Sequence, residues 1–159
     1  MTQIQQDAAT RTSILSPAVT ATFGFFVYAL AMIVGEVFDP NLDSQAVTPH
    51  QHPIWESVTN LAPEFAFALV GVAITVWAGW RAWLGRSSRL ARTALVFAVI
   101  AAVTVLAFWA GWSNVFGAAA VGLALEYRRR IGSLDATSGI ALALGALAFV
   151  AGAVICVLG

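Results

Sequence analysis

Lysine is absent from this chain, and cysteine occurs once, at position 156. One cysteine excludes an internal disulfide framework and any CxxC redox or metal pair. Charge of either sign is scarce. Eight arginines and eight acids make up 10% of 159 residues, against about 25% in a soluble domain. A chain this size can bury a core, but so few charges cannot cover its outside. Its 60% hydrophobic content and mean hydropathy of +0.83 exclude disorder. A net charge of zero removes the general electrostatic case for binding nucleic acid. No Walker loop, dinucleotide fingerprint, nucleophile elbow or histidine axial pair occurs. No motif therefore requires a cofactor, which argues against a nucleotide-driven pump and a typical haem subunit.

What the chain does contain is long apolar runs. They predict an all-α polytopic integral membrane bundle in the lipid bilayer, one transmembrane domain over residues 1–159. Spans are expected at about 17–38, 61–84, 93–112, 114–127 and 136–158, with an outer loop over 39–60. The first run is too long and aromatic for a signal peptide and has no small-x-small cleavage pattern at its end, so it reads as a retained span. Three prolines in the loop, Pro40, Pro49 and Pro53, break any long helix there.

Thr93 to Leu125 holds no charge for thirty-three residues, too long for one ordinary span and short for two. A turn at Trp112–Asn114 gives five spans; without it the third helix is long and there are four. Orientation favours five. Arg11, Arg81, Arg86, Arg89, Arg92, Arg128, Arg129 and Arg130 then share one side, and Asp39, Asp43 and Glu56 the other. This is the positive-inside pattern of a cell-membrane protein with a cytoplasmic N-terminus. The fourth span of fourteen residues would cover only about 21 Å.

Chemistry concentrates beside the outer loop. Five of the eight acids and both histidines fall within residues 36–64. Glu36 ends the first span and Glu64 begins the second, so antiparallel packing sets them at similar depth. Two carboxylates close together in a poor solvent do not both ionise easily, which suits acid/base catalysis. Asn60 and Trp55, with Asn114 at the expected turn, are the substrate-binding candidates. His50, His52 and Glu56 offer a metal set. Each has a plainer reading. Glu64 complements a helix dipole in the first turn after Pro63, Asn60 caps that helix, His50 and His52 sit in a solvated loop, and the tryptophans form interfacial belts.

Three functions follow: binding or transforming a small apolar ligand at Glu36 and Glu64, serving as an accessory subunit of a membrane complex, or proton- or cation-coupled transport. Transport ordinarily needs polar groups at mid-depth, where Thr75 and Thr104 are the candidates. Ala141, Gly145 and Gly152, with Thr137 and Ala148, form a small-residue stripe through which the last span can approach another span, a second copy or a partner subunit. In length, span count and tryptophan content, and through Leu69-Val70-Gly71-Val72-Ala73 with Trp77 and Trp80, the chain loosely resembles the tryptophan-rich sensory (translocator) family. Its first hairpin is similar to the DoxX-like four-span proteins. The resemblance implies a helical membrane bundle and assigns no site residue.

Overall fold

The computed structural model describes residues 14–37, 59 and 61–158, with residues 36 and 37 described in backbone only. Among the described residues five α-helices follow one another: α1 Pro17–Val37, α2 Ala62–Trp83, α3 Ser87–Thr104, α4 Trp112–Ile131 and α5 Ala136–Leu158. A 3₁₀ turn, Val105–Ala110, leads from α3 toward α4. There is no strand among the described residues, and the fold is an all-α bundle. Among the described residues four stretches are long and apolar enough to cross a membrane: Pro17–Gly35, Ala62–Trp83, Ser87–Ala110 and Ala136–Leu158.

The helix ends follow from local chemistry. Ser16 Oγ accepts the Val19 N–H at 3.4 Å, and Pro17 stands in the first turn, where a missing N–H is harmless. On α2, Glu64 lies in the first turn and Arg81 in the last, each complementing the helix dipole. The α3–α4 connection turns on Gly111 at φ +67°, a left-handed conformation that glycine adopts without steric cost. Before α5, Asp135 Oδ1 accepts the Ser138 N–H at 2.7 Å and the Ser138 hydroxyl at 2.6 Å. Ser138 Oγ accepts the Asp135 N–H at 3.1 Å in return, a reciprocal cap. These bonds from Ser138 hold the Asp135 carboxyl below the usual carboxylate range.

Two boundaries differ from the hydropathy reading. α3 starts at Ser87 rather than near 93, because Arg89 and Arg92 are good helix formers inside its first turns. α4 runs to Ile131 rather than 127, because Arg128, Arg129 and Arg130 continue it favourably at the negative end of its dipole. Its twenty residues span about 30 Å, longer than the apolar run alone implied.

The bundle is arranged around α4, which packs on all four other helices. From Ser113 to Glu126 every residue is buried except Val121 and Leu125. Its side chains there are mostly small, so neighbouring backbones come close. A methyl placed on Gly117 would lie 2.8 Å from the Gly145 carbonyl oxygen. The α5 stripe expected to meet another helix thus meets α4 of the same chain, burying Ala141, Gly145, Ala148 and Gly152. Large apolar side chains point outward instead: Phe26 and Leu30 on α1, Leu69 and Trp77 on α2, and Leu147 and Val150 on α5 are all exposed. Small and polar inside, large and apolar outside, is the arrangement that suits lipid.

The arginines share one end. Arg130 Nη2 on the last turn of α4 donates to the Trp83 carbonyl at the end of α2, at 3.0 Å. That contact brings Arg128–Arg130 beside the α2–α3 connection and its Arg81, Arg86, Arg89 and Arg92. Arg11 lies outside the described residues.

Candidate ligand site at the end opposite the arginines

An irregular backbone inside an apolar bundle must find partners for its free carbonyls. The 3₁₀ turn has this problem, and two neighbouring helices solve it. Tyr28, fully buried on α1, donates its hydroxyl to the Trp109 carbonyl. Its ring lies so close to Gly111 that a methyl there would come within 2.6 Å of it. Cys156 on α5 points its thiol at the Phe108 carbonyl, 3.9 Å away. Trp112 Nε1 donates to the Phe67 carbonyl of α2 at 3.1 Å and stacks on the Phe67 ring, 5.2 Å between centroids.

Tyr28, Ala31, Ala68 and Cys156 form a small buried cluster on this side, with Phe25, Met32, Phe65 and Phe108 packed around it. The Phe65 ring meets Tyr28 edge-on at 6.1 Å and Phe25 at 6.3 Å. Next to Phe65 stands Glu64. Its Oε2 is shielded from solvent and has no hydrogen-bond partner among the described residues. Buried polar atoms are ordinarily paired, so this oxygen marks a place where a hydrogen-bonding group fits. The helix dipole accounts for a carboxylate in this turn, but it does not supply a hydrogen bond to that oxygen.

The other expected site residues are placed as follows. Glu36 belongs to the last turn of α1 in backbone, and its side chain is not described. Trp55, Asn60, His50, His52 and Glu56 lie outside the described residues. Among the described residues no group of three or more His, Cys, Asp or Glu side chains is positioned to hold a metal ion. Asn114 does not sit in the turn. It lies fully buried in the first turn of α4, its Nδ2 donating to the Phe149 carbonyl of α5 at 3.0 Å and its Oδ1 accepting from Ser113 Oγ at 3.3 Å. Thr104 is turned back on its own helix, bonding to the Ile100 carbonyl at 2.8 Å.

Sequence reasoning passed over three residues. Tyr28 is one of two tyrosines in the chain and stands midway along an apolar helix, a position that calls for a hydroxyl partner. Glu126 is 1% exposed and ion-paired to Arg129 at 2.8 Å and to Arg130 at 2.7 Å; its spacing of three and four from those arginines was the available signal. Trp83 is 1% exposed under the Arg130 guanidinium, 5.2 Å from its ring centre. It is a core residue rather than part of an interfacial belt.

No family model, curated protein or solved structure matches this chain. The functional reading therefore stands on the chemistry of the two ends.

Proposed function

We propose that this is a multi-pass protein of the cell membrane that binds a small apolar molecule at the end opposite its arginines, with Glu64 as the main polar contact. The observation that carries this reading is the shielded, unpartnered Glu64 Oε2 beside the aromatic cluster of Tyr28 and Phe65. Apolar walls with one well-placed polar group are the usual make-up of a small-molecule site. A ligand hydroxyl or amine would complete the hydrogen bonding of that oxygen, and its apolar body would lie among phenyl rings. If the bound molecule is transformed, Glu64 with Glu36 supplies the acid/base pair. The arginine end faces the cytoplasm, as does the N-terminus.

The test is purification from native membranes followed by mass spectrometry of the extracted small molecules. Glu64→Gln is expected to lower the co-purifying molecule at least about tenfold, the scale of one lost hydrogen bond to a charged group, while the thermal melt stays close to that of the parent. Equal retention by parent and variant would remove Glu64 from the site. For orientation, Thr2→Cys in a Cys156→Ala background should react with an impermeant maleimide only after the membrane is opened.

A further inference from the structure

The central helix α4 is uncovered along one strip, at Val121 and Leu125. There the structure has an apolar groove of about 390 Å³ between α1 and α5, with Val19, Thr20 and Ala146 on its walls. The Phe23 and Phe149 rings, stacked at 6.0 Å, close it toward mid-depth. Thr20 contributes no free hydroxyl, because its Oγ1 donates to the Ser16 carbonyl at 3.1 Å. The groove thus presents almost only apolar surface along its length.

Its open end carries the opposite chemistry. Residues 118, 121, 125 and 128 follow helical spacing, so Arg128 stands one turn beyond Leu125 on the same stripe of α4. Arg129 is occupied by Glu126 and Arg130 by Glu126 and Trp83. Arg128 is exposed, and among the described residues it has no ion pair or hydrogen bond. An apolar groove on the surface of the bundle, with an uncommitted guanidinium one helical turn beyond it, matches one occupant.

We infer that this groove holds an acyl chain of an anionic phospholipid, with its headgroup phosphate on Arg128. A guanidinium is the side chain best suited to phosphate, and basic pockets on the positively charged side of a bundle favour anionic lipid. This site is separate from the Glu64 site, and either can fail without the other.

Native mass spectrometry of the full chain, titrated with phosphatidylglycerol or phosphatidylcholine of identical acyl chains, tests it. The parent should retain phosphatidylglycerol about fivefold more strongly, and Arg128→Gln should erase that preference. Ala146→Trp, an exposed position on the groove wall, should displace the lipid; Val150→Trp, also exposed and lining the groove, serves the same purpose if the first variant does not fold. Equal binding of the two lipids by the parent would overturn the inference. So would phosphatidylglycerol binding that survives both tryptophans, which would mean headgroup adsorption without a seated chain. Binding of neither lipid would overturn it as well and leave the groove to a partner helix.

Discussion

Two glutamates, one at each end of the bundle, have oxygens shielded from solvent, and they are treated in opposite ways. Glu126 is surrounded by its own counter-charges: Arg129 and Arg130 reach it from the same helix, and Arg130 goes on to the Trp83 carbonyl and ring. Glu64 has an oxygen equally hidden and no donor for it among the described residues. The first carboxylate clamps the end of α4 to the end of α2; its Oε2 also makes no hydrogen bond, but the Arg129 Nε stands against it at 2.8 Å. The second stands next to Phe65, beside the cluster of Tyr28 and Phe65, with no counter-charge among the described residues. A counter-charge held against the carboxylate, not its count of hydrogen bonds, thus separates a structural acid from a candidate binding acid, where burial alone would have ranked Glu126 first.

The sharpest way to break the comparison is to remove the ion-paired acid. Glu126→Ala leaves Arg130 partly buried beside Trp83 without its counter-charge and should destabilise the protein by about 2–4 kcal/mol, read as a lower melting temperature in detergent. Arg129 is half exposed, so Arg129→Gln should cost only about 0.5 kcal/mol. A similar loss in both variants would mean that the clamp is not the Glu126–Arg130–Trp83 unit.

Next in size is the turn at the Glu64 end. Gly111→Ala places a side chain at positive φ and against the Tyr28 ring, and a loss of about 2–3 kcal/mol is expected. Tyr28→Phe removes only the hydroxyl that satisfies the Trp109 carbonyl, and about 1–2 kcal/mol should go with it. Of the two, the tyrosine variant also bears on Glu64, because Tyr28 and Phe65 build the wall beside it. It should lower ligand retention less than Glu64→Gln does.

The smallest effect is local and depends on pH. The Asp135 carboxyl titrates below its ordinary 3.8 because Ser138 bonds to its ionised form. A depressed folded value means that the cap is at full strength above about pH 4 and is lost as the pH falls through the folded value. Protection factors for amide exchange at residues 136–139, the observed rates divided into the intrinsic ones, should therefore fall between pH 5 and pH 3, and Asp135→Asn should flatten that dependence. Protection factors that do not change over this range would show that the cap does not hold this end.

Much of the architecture was legible because lipid imposes length and polarity on a span. The first, second and last spans expected at 17–38, 61–84 and 136–158 correspond to Pro17–Val37, Ala62–Trp83 and Ala136–Leu158. The middle was harder, because hydropathy marks where charge begins and a helix does not end there. Arg89, Arg92 and Arg128–Arg130 are helical residues that extend α3 and α4 beyond the apolar run. The candidate site was legible only in part. Glu64 stood out as a carboxylate next to a span, but its lack of a partner is a property of three dimensions. Tyr28 gains its role from Gly111 and Trp109, more than eighty residues away in sequence. Asn114 was read as a turn residue because its neighbours Trp112 and Ser113 look interfacial, whereas its amide bridges α4 to the Phe149 carbonyl.

The most direct test sets Glu64→Gln beside Glu126→Gln in one preparation from native membranes, measuring melting temperature and co-purifying small molecule together. The account predicts a crossed result. Glu126→Gln lowers the melting temperature and keeps the molecule, and Glu64→Gln keeps the melting temperature to within about 1 kcal/mol of stability and loses the molecule. If Glu64→Gln instead lowers the melting temperature as Glu126→Gln does and leaves the molecule bound, Glu64 is a structural acid and the central claim is wrong.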